Sequence, residues 1–264
     1  MPPRHNILGT LISAVDYQTA TSELIKAAQD RRPLAAAALA VHALGEARND
    51  PNYQRKLNCL DLATPDGQPV RWALNWLHET DLADRVYGPF LMREVCQAAA
   101  REGLPVFLFG ATQATLDKLC VRLRNWDSRL IIAGTKPSRF RQISADEAEA
   151  DARDIIASGA RLVFCGLGCP RQEHWVHAMK PLLPMPTLAV GAAFALWAGE
   201  RKMAPALMQR FGFEWLYRLA QEPGRLWSRY LFHNPRYLLD IVVQKFGWAK
   251  YPPPTGKSQP EYWG

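Results

Sequence analysis

The stretch Arg161-Leu-Val-Phe-Cys-Gly-Leu-Gly-Cys-Pro-Arg-Gln-Glu173 carries the residues whose types and spacing best suit chemistry. Val163 and Phe164 suit a covered parallel strand. Gly166 and Gly168 permit a tight turn and a close backbone approach. Pro170 suits the first position of a helix, where no N–H is needed. Such a strand–turn–helix aims backbone N–H groups at the mouth of a sheet, where a phosphate or sugar can bind. Arg171, Gln172 and Glu173 are polar beyond the needs of a plain strand-to-helix junction. The glycine pattern taken alone fits a plain junction equally well.

The elements around this stretch are those of an α/β protein. A short strand is expected at Ile7–Ile12, and an amphipathic helix over Tyr17–Asp30. Ala35–Val41 reads as a buried strand or a close-packed helix. Ala47–Leu57 reads as a helix, with Asp50-Pro51 near its start. Leu60–Pro65 is a strand that ends on Asp66-Gly67, ahead of a helix over Val70–Leu77. Further strands are expected at Pro105–Phe109, Leu130–Ala133, Arg161–Cys165 and Thr187–Val190. Helices follow at about Thr112–Asn125, Ser144–Ser158 and Gln172–Met179. Ser144 with Glu147 forms a capping-box pattern. The alternation predicts a mostly parallel, Rossmann-like sheet with helices on both faces. A nicotinamide-binding enzyme is disfavoured: no full Gly-x-Gly-x-x-Gly opening occurs with an acidic residue about 20 positions on.

The chain has 264 residues and a formal net charge of +7, which points to an acidic partner. Nucleic acid fits poorly, because the middle of the chain is acidic and the sheet pattern matches no nucleic-acid module. Nothing at the head reads as a signal peptide, and no apolar run is long enough to span a bilayer. Cys59, Cys96, Cys120, Cys165 and Cys169 form no paired Cys-x-x-Cys units, which argues against structural zinc or a disulfide framework. A reducing cytosol is expected. Beyond Gly199 basic residues outnumber acidic ones two to one. Arg218, Arg225, Arg229 and Arg236 alternate there with Trp215, Tyr217, Trp227, Tyr230 and Tyr237, a mixture suited to a membrane interface. It suits single-stranded nucleic acid, or a solvated basic hairpin, as well. The Pro-rich tail 251–264 is expected to be disordered.

Several blocks come in a distinctive order. These are Thr64-Pro-Asp-Gly67, Arg85-Val-Tyr-Gly88, Val106-Phe-Leu-Phe-Gly110, Gly166-Leu-Gly-Cys-Pro-Arg-Gln-Glu173, Gly191-Ala-Ala-Phe194 and Gly212-Phe-Glu-Trp-Leu-Tyr-Arg218. With Arg225, Arg229 and Asn234-Pro-Arg-Tyr237 they resemble the WecG/TagA/CpsF glycosyltransferase family over residues 35 to 245. The resemblance implies an inverting, metal-independent transferase without a cofactor. The donor would be a UDP-sugar: N-acetylmannosamine, its uronic acid, or glucose. The acceptor would be a polyprenyl-diphosphate-linked saccharide in cell-surface polysaccharide synthesis, such as exopolysaccharide. It implies an α/β domain over 1–198 and a helical appendage over 199–250. The appendage would hold the chain at an anionic membrane surface, on the cytoplasmic face of a bacterial cell membrane. A homo-oligomer is compatible with the sequence.

Residue by residue, the resemblance makes Asp66 the base that deprotonates the acceptor. Arg218, Arg225 and Arg229 would neutralise the diphosphate. Gln172, with Gly166, Gly168 and Glu173, would bind donor or acceptor. Arg85 would bind donor or hold a carboxylate in the core. His42 reads either as a binding residue or as a core histidine. Four places depart from the family pattern: Ala38 and Ala40 stand for Thr and Asn, and Phe90 and Ala195 stand for Asp. Each change removes a hydrogen-bonding group, at about 0.5–3 kcal/mol per lost bond. The sequence therefore leaves two readings, an active transferase and a member that binds nucleotide sugar or lipid carrier without efficient transfer.

Overall fold

The computed structural model describes residues 1–205, 207–208, 212, 214–221, 223–224 and 234–264. Six parallel strands form one sheet in the order β4-β3-β8-β7-β5-β6. They are β3 (Leu34–Leu39), β4 (Leu62–Pro65), β5 (Val106–Phe109), β6 (Ile132–Lys136), β7 (Leu162–Cys165) and β8 (Pro186–Ala189). All but the edge strand β6 are buried along their length, as expected for a parallel sheet covered on both faces. One face packs α1 (Tyr17–Gln29), α5 (Gly88–Arg101), α6 (Gln113–Trp126) and α9 (Ala193–Trp197). The other packs α2 (Val41–Asn49), α3 (Pro51–Asn58), α4 (Gln68–His78), α7 (Ala145–Ala157) and α8 (Arg171–Met179). Ala35, Ala37 and Leu39 point to this second face, while Leu34 and Ala36 point to the first. That alternation is the two-residue period of a strand.

Several expectations are refined by local chemistry. Ile7–Ile12 is two strands, β1 (Arg4–Ile7) and β2 (Thr10–Ser13), paired antiparallel. Leu8 and Gly9 turn the chain between them at positive φ. The expected helix over Ala47–Leu57 is broken at Asp50. That residue precedes Pro51 and is held in extended backbone, with φ −126° and ψ 100°. Its carboxylate accepts from the amides of Asn52 and Tyr53 and so starts the second helix. Pro170 stands one place earlier than expected, at the N-cap of α8. Helix α5 was not foreseen. Its alanine-rich second half and buried Leu91, Met92 and Val95 pack on the sheet. The expected capping box at Ser144 and Glu147 is formed.

The C-terminal helix Asn234–Lys245 packs Tyr237 and Ile241 into the same core as α2 and α4. Arg48 pairs with Asp240 across that contact. Residues 251–264, expected to be disordered, instead lie along the protein. Glu261 pairs with the buried Lys56. His177 Nε2 and Ser258 Oγ lie 2.8 Å apart. The amide of Ile143 donates to the carbonyl of Tyr262, and that of Gly264 to Arg141. Hydrogen bonds and one ion pair thus order a segment whose composition alone predicts disorder. Among the described residues no helix is long and apolar enough to cross a membrane.

Burial, with Lys56 nearby, depresses the pKa of His177 to about 4. The unfolded chain therefore takes up this proton before the folded one does. The His177 contribution to stability is complete above pH 6.5 and is lost as pH falls towards 4. In denaturant titrations across that window, wild type should lose stability relative to His177→Gln. A constant difference between the two would show that His177 does not titrate on unfolding.

Candidate functional site

A cavity of about 380 Å³ lies at the carboxyl edge of the sheet. Ligands gather at this edge in open α/β sheets, because the loops that follow the strands all emerge there. Its walls come from the ends of β3 (Ala38, Ala40), β4 (Asp66), β7 (Gly166 to Cys169) and β8 (Val190 to Ala192). Helices α2, α5, α6, α8 and α9 all begin at its rim.

Asp66 follows β4 directly, and its amide donates to the Leu39 carbonyl at 3.0 Å. Its side chain is half-buried and faces the cavity. A Cβ on Gly88 would stand 3.7 Å from Asp66 Oδ2, 3.3 Å from Ala38 Cβ and 3.2 Å from the Val190 carbonyl oxygen. The absent side chain at Gly88 thus lets α5 start close against Ala38 and the Val190 carbonyl, with the Asp66 carboxylate beside it. Arg85 is buried under this junction, its guanidinium 4.4 Å from the centre of the Tyr87 ring. Arg85 does not line the cavity, whereas Tyr87 does. The Tyr87 amide donates to the Tyr17 hydroxyl, and burial pushes that phenol up.

The start of α8 forms another part of the wall. The Gly168 N–H can only donate, and it donates to Gln172 Oε1 at 3.2 Å. Gln172 Nε2 must then be the other end of the amide, and it donates to Glu173 Oε1 at 2.8 Å. One Nε2 hydrogen remains, beside Gly191, where a Cβ would lie 3.5 Å from the amide. Glu173 is fully enclosed, and burial pushes its carboxyl up, tempered by Gln172 and the nearby Tyr53 and Cys169. The Tyr53 hydroxyl lies 3.5 Å from Cys169 Sγ, and burial raises it in turn. These bonds take up part of the expected anion cradle at this helix. The amides of Gly168, Gln172 and His174 are already used within the protein, and Pro170 has none.

Two other helices start at the rim without a capping side chain. The N-caps of α2 and α5, Ala40 and Tyr87, make no side-chain cap hydrogen bond. The first turns of both helices therefore direct positive dipole ends at the cavity, while Pro89 in the first turn of α5 has no N–H. Thr112 does cap α6, accepting from Thr115. Arg201 and Glu200 complete the wall, with Glu200 held by Thr115 at 3.0 Å and Lys118 at 3.0 Å.

The cavity therefore gathers Asp66, Gly166, Gly168, Gln172, Glu173 and His42 among the expected residues. His42 lies 3.7 Å from Glu46 on the next turn of α2. Of the four departures, Ala38, Ala40 and Ala195 line the cavity. Phe90 instead packs edge-on to Tyr87 and against Trp197. Arg225, Arg229 and the Arg218 side chain lie outside the described residues. Sequence reasoning missed Tyr87, Phe140, Glu200 and Arg201. Tyr87 sat within a recognised block, and Arg201 follows the glycine that ends α9. Phe140 had no local signal, since only the folded chain brings its loop to the rim. Among the described residues no group of three or more His, Cys, Asp or Glu side chains is set to hold a metal ion.

Residues 5–251 match the Glycosyl transferase WecG/TagA/CpsF family. A relative from Bacillus spizizenii, an N-acetylglucosaminyldiphosphoundecaprenol N-acetyl-beta-D-mannosaminyltransferase, is 30% identical over 206 residues. The alignment covers 78% of this chain and 77% of the relative.

Ala40 has φ −94° and ψ 170°, the backbone of an N-cap, but no side-chain acceptor. Ala40→Asn should supply one and raise stability by about 1 kcal/mol, or roughly 2–4 °C in Tm. Calorimetry reads this directly. An unchanged or lowered Tm would mean that the α2 amides are satisfied in another way.

Proposed function

The chain belongs to the WecG/TagA/CpsF glycosyltransferase family, and from that premise we propose that it transfers a sugar from a UDP-sugar to a polyprenyl-diphosphate-linked saccharide, with inversion. What carries the reading is the Asp66 carboxylate, facing a cavity at the sheet edge in a chain of this family. Asp66 takes the proton of the acceptor hydroxyl as that oxygen attacks the anomeric carbon. The bond from the anomeric carbon to the donor diphosphate breaks, and its electron pair leaves with the diphosphate oxygen. Negative charge therefore grows on the side away from Asp66. Arg201 on the cavity wall is suited to meet it. Arg218, Arg225 and Arg229 join Arg201 in this reading, so that arginines rather than a metal ion neutralise the leaving group. Gln172, fixed by Gly168 and Glu173, offers its remaining N–H to donor or acceptor.

The B. spizizenii relative makes UDP-N-acetylmannosamine the first donor to test, with an N-acetylglucosaminyl-diphosphate lipid as acceptor. The uronic acid and glucose donors complete the panel. A second reading, binding without efficient transfer, draws on the apolar walls at Ala38, Ala40 and Ala195. A wild-type chain that binds UDP but transfers none of these sugars would select it.

With an active donor, Asp66→Asn should lower turnover by about 10²–10⁴-fold. Donor affinity should stay near that of wild type, and wild-type turnover should survive EDTA. Undiminished turnover in the Asn variant would remove Asp66 from the role of base.

The acceptor's lipid tail lies in a bilayer, and the chain beyond Gly199 joins basic and aromatic residues. We therefore expect peripheral binding to anionic vesicles, at about 1 kcal/mol per basic residue near the surface. Arg218→Ala and Arg225→Ala separate two roles for these side chains. Lost transfer with vesicle binding kept places the arginine in the site. Lost vesicle binding with full transfer to a soluble acceptor makes it a membrane contact. If neither variant changes either readout, both roles fall.

A further inference from the structure

The family match ends at residue 251, and the segment beyond it is nonetheless fastened to the catalytic domain. Along α3 the contacts fall at Asn52, Arg55, Lys56 and Cys59, one stripe of a helix. Asn52 Oδ1 accepts from the Gln259 amide at 3.3 Å, and Arg55 donates to the Thr255 carbonyl at 3.4 Å. Cys59 Sγ lies 3.7 Å from Ser258 Oγ. Along α8 they fall at Arg171, His174 and His177, again a single face. Arg171 stacks over the Trp263 ring at 5.6 Å, and His177 meets Ser258. Gln172 and Glu173, between these residues, face the cavity instead.

The centre of the contact is a buried charge. The Lys56 side chain is 0% exposed. Its ammonium donates to His174 Nδ1 at 2.9 Å and pairs with the Glu261 carboxylate. A lysine can only donate, so Nδ1 presents its lone pair and the imidazole is neutral. Burial and Lys56 both lower the His174 pKa, in keeping with this. Glu261 therefore brings the opposite charge that a buried ammonium needs.

Beyond Glu261 the segment reaches the loop ahead of α7. Trp263 bridges Gln142 antiparallel, and the Ile143 and Gly264 amides make the flanking bonds. This loop carries Phe140, which lines the cavity. The segment thus ties together two walls of one cavity, the first turn of α8 and the Phe140 loop.

We propose that residues 255–263 are a positioning strap for the transfer site, with Glu261 as its anchor on α3 and α8 and Trp263 as its clasp on the Phe140 loop. This rests on the glycosyltransferase reading only for its kinetic consequence. The strap sets the distance between Phe140 and Gln172, and so the fit of the donor.

Two full-length variants test it. Trp263→Ala with Gly264→Pro removes the Arg171 stack and the Gly264 bond to Arg141, and so opens the clasp without touching a buried charge. Lys56→Met with Glu261→Leu removes the anchor and leaves no unpaired ion. Amide hydrogen exchange at Gly168 and Gln172, and at Ile143, should quicken about tenfold while β7 and β8 keep their protection. Donor KM should rise about tenfold, with kcat within about twofold of wild type, because fit rather than the base is altered. Wild-type exchange at Gly168 and Gln172 would overturn the strap. So would faster exchange spread evenly through β7 and β8 with KM unchanged, since that is a loss of global stability. A wild-type chain inactive with every donor would sink the transferase reading, and the exchange data would still judge the strap.

Discussion

Two missing Cβ atoms allow the cavity edge to close. A Cβ on Gly166 would fall 2.5 Å from the ring of Phe194, and one on Gly110 would fall 3.0 Å from the Gly166 backbone. Neither neighbour can retreat, because Phe194 is enclosed in the core and the other contact is main chain. The ends of β5, β7 and the start of α9 can therefore meet only if both positions are glycine. That contact sets where the Gly166–Cys169 turn runs, and with it where α8 begins. Gln172, Glu173 and the Gly191 wall all take their places from it.

The electrostatics of the site follow from how the edge is built. Parallel strands send every connection at this edge into a helix N-terminus, so positive dipole ends converge on the cavity. Against them stand Asp66, Glu173 and Glu200. These carboxyls are not alike. Glu173 is enclosed, and burial favours its neutral form. Glu200 is pinned by Lys118 and Thr115, which hold it below the usual carboxylate range. Asp66 is half-buried and borders the open space. A group that exchanges protons with a bound acceptor needs that access, which Glu173 lacks, while the exposed Glu200 is engaged by Lys118 and Thr115; the proposed base is therefore Asp66.

Membership of one family does not make the pocket uniform. Ala38, Ala40 and Ala195 leave part of the wall apolar, and only Phe90 among the four departures turns away from it. The physical consequence is local. Fewer side-chain hydrogen bonds can reach a ligand beside β3 and α9, whereas the backbone amides at α2 and the Gln172 amide remain in place.

Much of this was legible in the order of residues. Alternation of apolar strands and capped helices determines a parallel α/β sheet, because each pattern has its own period and its own start signals. The Asp66-Gly67 turn after a strand and the Gly166–Glu173 block determine which residues can stand at the sheet edge. Spacing along the chain cannot report which side-chain bonds form across the fold. The sequence marks Gln172 as a contact to donor or acceptor, and only the fold shows its amide oriented by Gly168 and Glu173. Asp50 interrupted a helix that periodicity alone would continue, since the residue before a proline is kept out of the helical region. The tail 251–264 reads as disordered by composition, because its own residues bury little apolar surface. Only the tertiary structure places Glu261 beside a lysine buried from more than two hundred positions away, and the need to pair that charge orders the segment.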